Sequence, residues 1–214
     1  MAKAKTSNVE ALTIAPPNLQ VAEFRIIGVA PYVQNKFSAK AREMMRQKQE
    51  AGSVSSKGKK REAKDFQACY EGAMHISEDG WHGIPAPAFR NACVSACRMA
   101  GFKMTHAKLS VFVEPDGFDS DDATPLVKIT KGKPSYSEML VKNETGVADV
   151  RPRPMWKAGW EAVVRMRYDA DQFTLEDVAN LLLRAGMQVG VGEGRPDSRK
   201  SCGMGWGLFK LADK

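Results

Sequence analysis

The chain has 214 residues, of which 43% are hydrophobic and 27% charged, and its formal net charge is +7. A chain of this size can bury the core of one domain, and its positive charge favours an acidic partner, nucleic acid before a membrane surface. It contains no apolar run of about 18 residues, which excludes a bilayer-spanning helix, and no signal-peptide core, so we expect a cytoplasmic protein.

The four cysteines and three histidines do not form a metal-binding pattern. No Cys-x-x-Cys pair occurs, and the histidines are scattered along the chain. Cys93 and Cys97 lie one helical turn apart and are expected to be small core residues in a reducing compartment. The sequence therefore predicts neither a metal site nor a cofactor.

The chain divides into a tail and one domain with two insertions. Residues 1–20 are expected to be a mobile tail, and residues 21–214 a single domain that opens with a strand over 21–29. The insertions are expected at about 37–78, a basic arm, and at 114–157, a hairpin.

The first insertion concentrates the positive charge. Residues 36–64 contain ten Lys or Arg and three Glu, an excess equal to that of the whole chain. Such a run is most often a solvated linker, but it can also be an arm that becomes ordered on nucleic acid. Four of its cations are expected to bind a nucleic-acid backbone: Lys57, Lys59, Lys60 and Arg61.

Two helices and five further strands are predicted after the arm. A helix over 85–100 ends at Gly101 and buries Phe89, Ala92, Cys93, Ala96 and Cys97. Alternation predicts strands over 108–113, 125–130, 136–142, 158–168 and 206–211, with 125–130 and 136–142 paired as a hairpin. A second helix begins at Thr174, which is capped by Asp177, and stops at Gly186.

Without the insertions, the order is strand, helix, strand, strand, helix, strand. This is the βαββαβ order of the ferredoxin-like class, an α+β fold with an antiparallel sheet, both helices on one face and the other face open. The open face and the loops beside it suit a single strand of nucleic acid.

A glycine-rich loop over residues 190–207 joins the second helix to the last strand. It holds six glycines, two arginines and one lysine. It lacks the Gly-Lys-Ser/Thr of a Walker loop and precedes a strand, unlike the dinucleotide fingerprint. Glycines let a backbone approach a ligand, and the cations suit phosphates. The residues expected to bind nucleic acid here are Gly192, Gly194, Arg195, Arg199, Lys200, Gly203 and Gly205.

A second local cluster, Arg151-Pro-Arg-Pro-Met-Trp156, holds two guanidinium groups and an indole in an extended segment. We expect Arg151, Arg153 and Trp156 to contact nucleic acid. Three aromatic rings are candidates for base stacking because their positions favour loops: Trp81, Tyr136 and Trp156. Burial is the alternative for each ring.

The helix entry Gly83-Ile-Pro-Ala-Pro-Ala-Phe-Arg90 and the late Gly190-Val-Gly to Gly203-Met-Gly-Trp-Gly207 together resemble the RAMP superfamily of CRISPR systems. The resemblance covers roughly residues 21–36, 80–113 and 158–211, and it is closest to the backbone subunit that polymerises along guide RNA. The hydroxyl residue usual in the entry motif is replaced by Pro87 or Ala88. The resemblance implies a ferredoxin-like core and an RNA partner, with Arg90 in the binding surface. A viral or mobile-element relative is equally compatible.

Three functions follow as hypotheses. The first is a non-enzymatic protein that coats single-stranded nucleic acid, RNA before DNA, as a repeating subunit of a ribonucleoprotein assembly. The second is a metal-independent RAMP-type endoribonuclease, with His82 as general base and Arg195 or Lys200 as charge stabiliser. The resemblance separately implies cleavage of target RNA by a loop aspartate and a metal, as in some backbone subunits, and Asp79 lies near the corresponding region. The third is a structural adaptor that binds an acidic protein.

Overall fold

The computed structural model describes residues 14–37, 39–50, 63–142, 148–197 and 204–212. The strands are β1 (Leu19–Gly28), β2 (Tyr32–Val33), β3 (Gly83–Pro85), β4 (Val111–Glu114), β5 (Gly117–Phe118), β6 (Pro125–Lys131), β7 (Ser135–Lys142), β8 (Ala148–Trp156), β9 (Glu161–Asp169) and β10 (Phe209–Leu211). The helices are α1 (Ala39–Glu50), α2 (Phe66–Glu71), α3 (Ala86–Ala100), α4 (Met104–Ser110) and α5 (Leu175–Arg184), with a π-helical turn at Ala185–Val189.

The main sheet has the predicted ferredoxin-like order. Strand β1 lies between β10 and β9, β4 pairs with the far edge of β9, and all these pairs are antiparallel. The strand pair β1–β9 is the longest in the sheet, with Phe24 opposite Val164 and Ile26 opposite Ala162. The predicted βαββαβ order and the α+β class are confirmed.

Helices α3 and α5 cover one face of this sheet. The predicted faces of both helices are buried in the same core as the inward residues of β9. The capping box of Thr174 with Asp177 begins α5, and Gly101 ends α3 with a positive φ of 70°. The opposite sheet face is open and carries arginines that pair with carboxylates, such as Arg165 with Asp116.

The hairpin predicted over 125–142 is wrong. Strand β6 enters the main sheet beside β3 and β9, whereas β7 pairs with β8 in a second sheet of order β2-β8-β7. The Lys-Gly-Lys-Pro segment therefore carries the chain from one sheet to the other. Alternating strands of this kind fit several partners, and burial of β6 between two strands decided the pairing.

Two predicted boundaries also differ from the structure. Residues 108–110 belong to α4, so the strand predicted over 108–113 begins only at Val111. The second helix continues past Gly186 as the π-helical turn and ends at Gly190, where φ is 74°. Gly186 instead allows close packing, since a Cβ there would lie 2.2 Å from the Phe209 carbonyl oxygen.

The basic arm does not begin at Lys36 as expected. The Lys36 side chain is 3% exposed and pairs with carboxylates inside the protein. Helix α1 follows, and its Arg42 lies 3.6 Å from Asp122. At the other end, Lys64 donates to Asp149, and α2 packs beside β8. Both ends of the segment are thus attached to the body, and 51–62 lies outside the described residues.

None of the helices in the described part of the chain is long and apolar enough to cross a membrane.

Gly207 attaches the glycine-rich loop to the segment that follows β1. Its N–H donates to the Pro31 carbonyl, and its own carbonyl accepts from the Val191 N–H. A Cβ at Gly207 would lie 1.7 Å from the Val191 oxygen, whereas a Cβ at Gly205 would have no neighbour within 4 Å. Both glycines have nearly equal positive φ, 71° and 69°.

Alanine substitutions at Gly205 and Gly207 separate the cost of steric overlap from the cost of backbone strain. The substitution G205A should cost about 1–2 kcal/mol, because an L-residue resists positive φ. The substitution G207A should cost about 1–3 kcal/mol more, because its methyl group also overlaps the Val191 backbone. Urea unfolding of both variants measures the difference, and equal losses would show that the loop does not pack here.

Candidate nucleic-acid interface

A cleft of about 640 Å³ lies between the N-terminal half of α3 and the glycine-rich loop. Segment 32–35, residue 75 and strand β8 close its remaining sides. Its polar lining residues are Gln34, Asn35, His75, Asn91, Ser95, Arg151, Glu193, Arg195 and Asp197. The cleft brings together five segments that are remote in sequence, the predicted glycine-rich loop among them.

The glycines of the loop serve close packing against the protein itself. Gly192 has a φ of 82°, and a Cβ there would lie 2.5 Å from the Val33 oxygen and 2.7 Å from the Tyr32 ring. At Gly194 the same atom would lie 2.6 Å from the Trp206 ring. The loop is therefore held against the core, and Arg195, whose Nη1 donates to the Gly192 carbonyl, is anchored at its base.

The positive end of α3 opens into this cleft. Pro85 and Ala88, at the start of the helix, both line it. Pro85 occupies the cap position and gives no side-chain hydrogen bond, and a proline lies in the first turn. The first N–H groups of this 15-residue helix are thus left without a side-chain cap. Such an end binds anions through its N–H groups and the helix dipole.

The carboxylates at the cleft are paired with cations. Its two acidic lining residues are each neutralised: Glu193 by Arg153 at 2.5 Å and Asp197 by Arg98 at 2.6 Å. Behind them, Asp149 pairs with both Arg151 and Lys64. The two arginines of the lining, Arg151 and Arg195, therefore meet no unpaired lining carboxylate.

A buried ionic cluster lies behind one wall of the cleft. Asp119, whose side chain has no exposed surface, accepts from Lys36 Nζ at 2.5 Å through Oδ1 and lies 2.7 Å from His75 Nδ1 through Oδ2. Lys36 also contacts Asp121 at 2.6 Å. The acidic loop at residues 119–122 thus binds the chain's own lysine.

The cluster shifts the pKa of each member. Burial alone raises the pKa of Asp119, but hydrogen bonds from Lys36, the Asp121 amide and His75 outweigh it and hold the pKa below its ordinary value. Burial lowers the pKa of His75, and the contact with Asp119 opposes this only in part. For Lys36, burial is outweighed by the two carboxylates, so its pKa is raised.

Two residues expected to contact nucleic acid are structural. Trp156 is fully buried, and its ring packs 5.5 Å from that of Tyr32. Arg153 is 8% exposed and bound to Glu193 and to the Pro152 carbonyl. The segment is extended as expected, but Trp156 packs in the core and Arg153 is covered by its contact with Glu193. Arg151, two residues before Arg153 on the same side of β8, does line the cleft.

Arg90 is also used within the fold. It donates to the Val111 and Lys108 carbonyls, and its guanidinium lies 5.2 Å from the Phe112 ring centroid. It therefore fastens α3 to α4 and β4, and it does not line the cleft.

The candidate general base His82 lies away from the cleft lining. Its ring meets that of Trp156 edge-on at 5.6 Å, and burial lowers its pKa. The Trp81 ring packs against Gly83 and Gly117, and the ammonium group of Lys128 lies over this ring. Tyr136, on β7 of the second sheet, is 44% exposed, and its ring contacts that of Tyr70 on α2. None of these three rings lines the cleft.

Several predicted residues lie outside the described part of the chain: Lys57, Lys59, Lys60, Arg61, Arg199, Lys200 and Gly203. Within the described part, no group of three or more His, Cys, Asp or Glu could hold a metal ion, and Asp79 is exposed in its loop.

The sequence did not identify His75 as part of a site. It carries no motif, and its partners Gln34 and Asp119 lie 41 and 44 residues away, so only the fold brings them together. Asn35, Asn91 and Ser95 were missed for a similar reason. The spacing of Ala88, Asn91 and Ser95 on one helical side was the available signal, since those positions lie opposite the apolar face of α3.

No family model and no curated protein matches the chain. Among solved structures, the chain is similar to the crystal structure of Cmr6 from Pyrococcus furiosus, with a TM-score of 0.44 and 11% identity, over 92% of this chain and 99% of that chain.

The ionic cluster predicts unequal effects of two neighbouring carboxylates. Asp119→Ala should destabilise the protein by about 3–5 kcal/mol, because Lys36 loses its buried counter-charge. Asp121→Ala removes a contact of the same lysine, but that side chain is 51% exposed, so the cost should be about 1 kcal/mol or less. Urea unfolding at pH 7 measures both variants, and equal costs would contradict a central role for Asp119.

The contribution of Asp119 to folding stability depends on pH in a defined direction. Because the pKa of Asp119 is lowered in the folded protein, its stabilising contribution is complete above the unfolded value of about 3.9. It is lost as the pH falls from there through the lower folded pKa. The wild-type protein should lose more stability than Asp119→Ala over this acid range, as measured by unfolding at a series of pH values.

Proposed function

We propose that the protein binds single-stranded nucleic acid in the cleft between α3 and the glycine-rich loop, without acting as an enzyme. The observation that carries this proposal is the uncapped positive end of α3, which opens into a cleft lined by Arg151 and Arg195 and whose two carboxylates are paired with other arginines. Phosphate is the ligand that the helix end and the two arginines attract. The mixed polar and apolar lining of the cleft suits an unpaired strand, whose bases are accessible.

Each charged group has a distinct part in this proposal. The helix end binds a phosphate through backbone N–H groups, so the contact is independent of base sequence. Arg195, on the glycine-rich loop, and Arg151, on β8, both line the cleft and contact phosphates beside the one at the helix end. Arg98 and Arg153 neutralise the acidic lining residues and keep them from repelling the strand.

We further propose that the protein coats the strand as a repeating subunit. Helix α1 supports this part of the proposal, because it is largely exposed and its Arg42 approaches the body at Asp122. Met44 and Met45 on this helix are 61% and 50% exposed. A helix in this position can reach a neighbouring subunit on the same strand. Binding of the protein to poly-U should then be cooperative, which titration at increasing strand length measures.

The cleft can be tested against the open sheet face with two double variants. Arg151→Ala with Arg195→Ala should weaken binding to poly-U and to a mixed sequence by similar factors. It should also make the slope of log K against log salt shallower by about 1.4, since each phosphate contact on a single strand contributes about 0.7. Fluorescence anisotropy at several salt concentrations measures both quantities.

The matched control is Arg165→Ala with Lys210→Ala, which removes two cations from the open sheet face. This variant should keep the wild-type slope. If the control loses the slope and the cleft variant keeps it, the strand lies on the open face. If neither variant binds differently from the wild type, or no strand binds at all, the adaptor hypothesis with an acidic protein replaces nucleic-acid binding.

A further inference from the structure

His75 contributes a polar group to the cleft that the phosphate-binding residues do not explain. Its side chain is 12% exposed and lines the cleft beside Gln34. Its backbone N–H donates to Gln34 Oε1 at 2.9 Å, and Gln34 Nε2 in turn donates to the Tyr32 hydroxyl and to the Gly83 carbonyl. The ring of His75 is therefore held by Asp119 and its backbone by Gln34, both from behind the cleft wall.

The contacts of Asp119 define which ring nitrogen carries the proton. This carboxylate accepts from Lys36 and from the Asp121 N–H, and it is ionised at neutral pH. An ionised carboxylate only accepts hydrogen bonds, so the His75 Nδ1, 2.7 Å away, must be the donor. In a neutral imidazole the other nitrogen, Nε2, is then an acceptor. Within the described residues Nε2 has no protein partner.

The ring is neutral at pH 7 because burial lowers its pKa, and the Asp119 contact does not reverse this effect. His75 therefore presents a fixed lone pair to the cleft and no positive charge. A lone pair does not bind phosphate oxygens, which are also acceptors. In the sugar-phosphate backbone, the ribose 2′-hydroxyl is the group that can donate to it, and DNA lacks this group.

We propose that His75 Nε2 accepts a hydrogen bond from a ribose 2′-hydroxyl, so that the cleft selects RNA over DNA. This inference rests on the proposed function, since it requires a strand in the cleft. Asp119 is the positioning residue: it fixes the proton on Nδ1 and thereby leaves Nε2 as the acceptor. Lys36 keeps that carboxylate ionised. The discrimination is independent of base sequence, because every ribonucleotide carries the same hydroxyl.

Three strands of identical base sequence test the contact. They are about 12 nucleotides long, within the range that one such fold covers, and consist of RNA, of 2′-fluoro RNA, and of DNA with uracil in place of thymine. The 2′-fluoro strand retains an RNA-like sugar but cannot donate a hydrogen bond. Wild-type protein should bind RNA about 3- to 10-fold more tightly than either other strand, the effect of one hydrogen bond.

His75→Ala should abolish this preference by weakening RNA binding to the level of the other two strands. His106→Ala is the matched control, because His106 is exposed on α4 and does not line the cleft. His75→Gln should restore part of the preference, since its amide oxygen can accept at the position of Nε2. This rescue separates hydrogen bonding from a merely structural role, and near-ultraviolet circular dichroism checks that each variant is folded.

The outcomes distinguish this inference from the proposed function. If no strand binds the wild-type protein, the proposed function fails. If all three strands bind the wild-type protein equally, or if His75→Ala retains the preference for RNA, strand binding stands and the role of His75 is overturned. A preference for RNA over DNA that 2′-fluoro RNA shares would also overturn it, since sugar conformation would then be the cause.

Discussion

The contact of Asp119 with Lys36 and His75 is the interaction on which the cleft depends. It joins three segments that lie 83 and 44 residues apart in sequence, and it does so with a carboxylate that has no exposed surface. A buried charge is costly without a partner, so the three segments are stable only together. One interaction thus places the entry to α1, the chain after α2 and the acidic loop, and fixes the cleft wall that carries His75.

The opposite wall is fixed by close backbone packing. Gly192 lies against Tyr32 and Val33, and Gly207 lies against Val191, at distances that leave no room for a side chain. A loop that looks flexible in composition is therefore held firmly along its described part. For binding this is favourable, because a donor such as Arg195 that is already anchored loses less conformational freedom when it meets a phosphate.

The helix end separates the two candidate surfaces. On the open sheet face, Arg25, Arg165 and Arg167 each contact a carboxylate. The carboxylates that line the cleft are paired with arginines as well, but the uncapped end of α3 adds positive potential there. In the proposed function, phosphate attraction and hydroxyl recognition come from different groups in the same cleft, the helix end with its neighbouring arginines and the neutral imidazole of His75.

The sequence by itself determined the two core helices α3 and α5, the order of the core strands and the identity of the glycine-rich loop, because periodicity and caps such as Thr174 with Asp177 act within a few residues. It also indicated Arg151 and Arg195, whose neighbours along the chain suit phosphate. Only the tertiary structure decided that β6 and β7 enter different sheets, that Trp156 and Arg153 are buried, and that His75 meets Asp119. Strand pairing, burial and ion pairing depend on which distant segments are adjacent, and local sequence patterns do not contain that information.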